Sequence, residues 1–129
     1  MTNDTDAAAA KRRVRESGAM VKALFDAGVP IVAGTDGALP GYSLLRSLEL
    51  YVEAGLTPMQ AIESATRVPA ESIGLGNESG TIEAGKRADL IVLNANPLEN
   101  ISNIRTLRFV IANGRVLEPS KLWAAAGSK

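Results

Sequence analysis

Val29-Pro30-Ile31-Val32-Ala33 is the one β-rich apolar run in the first 75 residues, and it limits the possible folds more than any other feature. Its apolar residues are continuous rather than alternating, which predicts a strand buried on both faces, as in parallel sheets. A single such strand leaves rows of N–H and C=O groups unpaired along both edges. Two-stranded units are already marginal in water. The run therefore needs neighbouring strands that this part of the chain does not supply. Either several chains associate, or the sequence is part of a larger fold.

The flanking residues place this strand in an α/β unit. Thr5 and Asp6 are candidate N-caps for a helix over Ala7–Ala27, in which Met20 and Leu24, and Val21 and Phe25, repeat at i,i+4. Gly28 stops that helix and Pro30 prevents its resumption. The strand runs into Gly34-Thr35-Asp36-Gly37, a small-residue turn that carries a carboxylate. After the Gly34–Gly41 loop, Tyr42–Ala54 reads as a second helix with Leu44, Leu45, Leu48 and Tyr51 or Val52 inward. Gly55 ends it, Thr57-Pro58 opens a helix over Pro58–Ala65, and Pro69 opens a short one that stops near Gly74. Helix, glycine turn and buried strand together indicate a parallel-sheet architecture.

The remainder changes character, and no internal repeat is visible. Gly80-Thr81-Ile82-Glu83-Ala84-Gly85-Lys86 is a turn-rich link, Asp89–Leu93 a short strand and Asn94–Pro97 a turn. Leu107–Ala112 and Arg115–Leu117 flank Asn113-Gly114, a strong signal for a two-residue hairpin. The tail Ser120–Lys129 reads as a frayed helix anchored by Trp123.

Composition narrows the function. Fourteen basic and fourteen acidic residues give a net charge of zero, which excludes an electrostatic footprint for nucleic acid. The cluster Lys11-Arg12-Arg13-Val14-Arg15 lacks interleaved aromatics and reads as a solvated helix face. With no cysteine there are no disulfides or thiolate metal sites, and with no histidine the usual nitrogen ligands are missing too. The start lacks a basic segment leading into an apolar core, and no apolar window is long enough to span a membrane. A cytoplasmic location is expected.

Taken alone, Asp36 reads as a turn or cap before the helix at Tyr42. Gly34, Gly37 and Gly41 read as turn glycines, and Thr35 as a strand-end residue that could orient Asp36. Asp89 is expected to make a structural turn or cap bond, and Arg46 and Glu49 to be surface charges.

Three segments, however, resemble the C-terminal part of the amidohydrolase superfamily, particularly its imidazolonepropionase-like and Xaa-Pro dipeptidase-like members. Ala27-Gly28-Val29-Pro30-Ile31-Val32-Ala33-Gly34-Thr35-Asp36 is similar to the last strand of that (β/α)8 barrel. Glu53-Ala54-Gly55-Leu56-Thr57-Pro58-Met59-Gln60-Ala61-Ile62, with Ala65-Thr66, is similar to the helices behind it. The specific run Gly80–Leu93, with Asn96-Pro97-Leu98 and Asn113-Gly114-Arg115, resembles the return into the β-sandwich subdomain. The resemblance implies an α/β chain with residues 1–75 as the last barrel unit, 76–118 as part of the β subdomain and 119–129 as a tail.

It also implies a metal-dependent hydrolase of C–N bonds in amides, cyclic amides or dipeptide-like substrates. Asp36 matches the carboxylate that contacts the metal and accepts a proton from its bound water. Zinc is the first choice of divalent metal, with manganese, iron and cobalt as alternatives. The family's HxH pair, bridging Lys or Glu and later histidines would all precede residue 1. Within Gly41–Glu49, where relatives read G-x-S-L-H-R-E-L-E, Leu45 replaces the histidine and Ser47 the first glutamate. The isolated chain is therefore expected to bind no metal and turn nothing over, needing an N-terminal barrel portion or a homo-oligomer. No nucleic-acid or membrane partner is expected, and a small-molecule substrate only for the completed site. The competing expectation is a non-catalytic truncated relative serving as a self-associating scaffold or binding module.

Overall fold

The computed structural model describes residues 4–36 and 41–121, so Gly37 and the Trp123 tail lie outside the described residues. Four helices lead: α1 (Asp4–Asp26), α2 (Ser43–Glu53), α3 (Pro58–Glu63) and α4 (Arg67–Ser72). A three-stranded antiparallel sheet follows, β1 (Leu90–Leu93), β2 (Leu107–Ala112) and β3 (Arg115–Leu117), in the order β1-β2-β3. A 3-10 helix, Ile101–Arg105, connects β1 to β2.

Helix α1 begins at Asp4, so Thr5 and Asp6 lie inside its first turn and do not cap it. Alanines 7–10 favour helix strongly, and acidic groups are favourable in a first turn, so the helix extends past the expected start. Its end is as expected. Gly28 takes φ +80°, its N–H donates to Phe25 O at 2.9 Å, and Val29 N–H donates to Leu24 O at 3.0 Å. That double closure needs a left-handed residue, which glycine adopts without a side-chain penalty. Along α1, Gly18 permits the approach to α2, since a Cβ there would lie 3.1 Å from the Ala54 Cβ.

Helix α2 buries Leu48, with Leu45, Tyr51 and Val52 packed beside it. Leu44 is exposed, contrary to expectation, because it is rotated about 100° from Leu45 and off the 45, 48, 52 stripe. Thr57 caps α3 as expected: its Oγ1 accepts from Gln60 N–H at 3.2 Å, while Gln60 Oε1 accepts from Thr57 N–H at 2.8 Å. The core joins Leu48 and Ala61 of the helices to Ile101 and Ile104 of the 3-10 helix, with Ala33 and Leu93 packed against it.

The hairpin forms where Asn113-Gly114 predicts it, with φ +49° and +76° at the two turn residues. Register pairs Leu90 with Ile111, Val92 with Phe109 and Ile111 with Val116, so these residues share one apolar face. Val92 and Val116 on that face are exposed.

The expected strand at Val29–Ala33 is the main departure. Residues 29–35 run without turn or bend, yet they join no sheet. Exposure alternates from residue 31 to 36, half-buried at 31, 33 and 35 and exposed at 32, 34 and 36, the period of β geometry. Burial on both faces is not observed: Val29 is 43% and Val32 48% exposed. The reason is the one anticipated from the sequence, since no other strand of the described residues reaches this run.

Candidate functional site

Asp36 sits at the C-terminal end of this run, exposed, with a φ of +44°. That left-handed conformation is uncommon outside glycine, and Asp and Asn tolerate it best. It turns the chain out of the run and presents the carboxylate to solvent. The N-cap residue of α2 is Tyr42, not Asp36, and its side chain makes no cap bond. The run is anchored at Ala33, whose N–H donates to Ser64 O at 2.8 Å; Ser64 is itself buried and donates its hydroxyl to Ala61 O.

A second polar cluster was not anticipated. Glu49 is only 7% exposed, not a surface charge. Arg105 donates to it through Nε at 2.7 Å and Nη2 at 3.1 Å, and Arg46 Nη1 donates at 3.0 Å. Arg46 also reaches Glu53 at 2.8 Å, and the Arg105 guanidinium lies 4.7 Å from the Tyr42 ring centroid. The Arg105 hydrogen bonds are the main cause that takes the Glu49 carboxyl from its ordinary 4.5 down to about 2, burial opposing and Arg46 assisting. Glu49 and Arg105 are 56 residues apart, and no local sequence pattern announces such a pair.

Two other charged groups are structural. Asp89 Oδ1 accepts from Asn113 N–H at 2.7 Å, and Gly114 N–H donates to Ala88 O at 3.0 Å, which ties the hairpin to the start of β1 as expected for Asp89. The Asn113 bond, with Arg87, lowers the Asp89 pKa. Lys86 Nζ donates to Gly76 O at 2.7 Å and to Thr81 and Glu83, closing the glycine-rich link on itself.

A catalytic zinc ion is held by three protein donors. Among the described residues no three His, Cys, Asp or Glu side chains converge, and the chain has neither His nor Cys. Asp36 offers one carboxylate, so this donor set does not fit such a metal by itself. No helix of the described residues is long and apolar enough to cross a membrane.

The sequence model of the amidohydrolase family matches residues 1–117. This chain belongs to the amidohydrolase family. It is 30% identical to the imidazolonepropionase of Thermoplasma volcanium over 102 residues, 74% of this chain and 25% of that protein. It is 40% identical to the ochratoxinase of Aspergillus niger over 101 residues, 68% of this chain and 21% of that one. Among solved structures, a Xaa-Pro dipeptidase with bound methionine in its active site superposes with a TM-score of 0.72. Its identity is 31%, covering 88% of this chain and 28% of the dipeptidase. The amidohydrolase chain thus spans about a quarter of the length of these relatives.

Proposed function

We propose that this chain forms the C-terminal wall of a hydrolase acting on C–N bonds, with residues 29–35 as its last barrel strand and β1–β3 as part of a β subdomain. Asp36 is the group that takes the proton from the attacking water. One observation carries this reading: inside the matched stretch, a straight run ends in an exposed carboxylate held in an uncommon backbone conformation. Barrel enzymes place their chemistry at that end of their strands.

The step is a general-base one. Water attacks the amide-like carbon, Asp36 accepts its proton, the C–N bond breaks, and the proton passes to the leaving nitrogen. The family is generally metal-dependent. Since the donors here do not fit a metal alone, any metal in the working enzyme takes its other ligands from outside this chain, and the chain alone is inactive. The relatives' names point to substrates such as imidazolonepropionate and Xaa-Pro dipeptides.

The test uses the assembly containing this chain, assayed for hydrolysis of both substrates with and without Asp36→Asn. A positioned general base contributes about 10²–10⁴-fold. Loss of that order in the variant supports the assignment, and undiminished turnover removes Asp36 from the mechanism.

A further inference from the structure

We propose that Asn113-Gly114 is a site of spontaneous conversion to isoaspartate, held shut by the bonds that Asp89 and Ala88 make to the hairpin turn. Of the seven asparagines in the chain, this one alone precedes glycine; the others precede Asp, Glu, Ala, Pro or Ile. With no Cβ on Gly114, nothing crowds its main-chain nitrogen, and both turn residues are exposed to water.

The chemistry needs only water. The Gly114 nitrogen attacks the side-chain carboxamide carbon of Asn113, and the new C–N bond closes a five-membered succinimide. The proton of that N–H goes to the carboxamide nitrogen, which leaves as ammonia. Water then opens the ring by breaking one of its two C–N bonds. One opening gives aspartate; the other gives isoaspartate, with the side-chain methylene moved into the main chain.

The fold opposes the first step. Ring closure requires the Gly114 nitrogen to lie on the same side of the Asn113 Cα–C bond as the Cβ. Asn113 has φ +49°, in the left-handed region where ψ is about +47°. That geometry puts the nitrogen on the opposite side, out of reach of the carboxamide. To attack, the peptide between the two residues must turn over. Two bonds resist this: Asp89 Oδ1 accepts from Asn113 N–H at 2.7 Å, and Ala88 O accepts from Gly114 N–H at 3.0 Å. The second also holds the proton that the attacking nitrogen must lose. Arg87 braces Asp89 by donating to its Oδ2. The conversion therefore proceeds only in the fraction of chains whose hairpin is open.

The product cannot rebuild the turn. Isoaspartate adds a main-chain carbon to the two-residue loop that closes the Ala112–Arg115 pair, and it puts a new carboxylate near that of Asp89. Strand β3 is expected to come away while β1 and β2 stay paired. Because ammonia is lost, the asparagine is not restored, and each converted chain records an opening of its hairpin.

The test incubates the assembly containing this chain in mildly alkaline buffer and follows residue 113 by peptide mapping. Mass spectrometry reads the exchange of amide for acid, and chromatography separates isoaspartate from aspartate. Conversion in the folded chain is expected to be at least about 10-fold slower than in denaturant. Asp89→Ala should speed it several-fold, whereas Asp89→Asn, which keeps an acceptor oxygen, should stay near the wild-type rate. A protected Leu48 amide, in the buried part of α2, shows that each variant still folds. Asn113→Gly keeps a residue suited to the left-handed turn but has no carboxamide. It should retain β3 amide protection through an incubation in which the wild type loses it.

A folded rate equal to the denatured one overturns the proposal. So does an Asp89→Ala rate equal to the wild type's, or an Asp89→Asn rate equal to that of Asp89→Ala. Loss of β3 protection as fast in Asn113→Gly as in the wild type overturns it too.

Discussion

Glu49 shows how a charge becomes structural. Its carboxylate is buried at the junction of α2 and the 3-10 helix, with Arg105 and Arg46 supplying three N–H donors. Removing the charge takes the carboxylate partner from Arg105, while Arg46 keeps Glu53, so Glu49→Gln should lower stability by about 1 kcal/mol, read as a drop in Tm. The folded pKa lies below the unfolded one, so this contribution is complete above about pH 4.5 and is lost as pH falls toward 2. Acid unfolding of the wild type should steepen through that window, and the Glu49→Gln profile should be flatter there. Equal profiles would mean that the pair contributes nothing. Asp89 acts more locally. Asp89→Ala removes the acceptor for Asn113 N–H, so the Asn113 amide should exchange faster, with the effect confined to the hairpin and little change at α2.

Helix and strand boundaries follow local chemistry where the chain provides it. Thr57→Ala removes one half of the α3 capping box and should cost about 1 kcal/mol, measurable by denaturant unfolding. An unchanged midpoint would mean that α3 is held by packing alone. The glycine stops at 28 and 55, the Thr57-Pro58 start and the Asn113-Gly114 turn were all legible because each is decided within four or five residues. The 3-10 helix was not, since five residues carry no periodic signal, although Asn100 does cap it by accepting from Ser102 N–H. The strand at Val29–Ala33 was legible as a β-type run and not as a paired one, because pairing depends on residues elsewhere. The candidate site divides the same way. Asp36 taken alone reads as a turn residue and becomes a candidate base only through the resemblance of its flanking segments, while the Glu49–Arg105 pair depends on a contact made only after folding.

At the level of the whole molecule, the described residues leave apolar side chains exposed. Val92 and Val116 are exposed on one sheet face, and residues 29–35 expose two valines. The chain alone should therefore bind a hydrophobic dye, and the complete assembly should bind less. The most direct measurement is the native mass of the chain isolated untagged from its own source, with metal content read on the same sample. A complex that includes histidine-bearing amidohydrolase sequence and bound divalent metal is the predicted result. A metal-free monomer or homo-oligomer would contradict it.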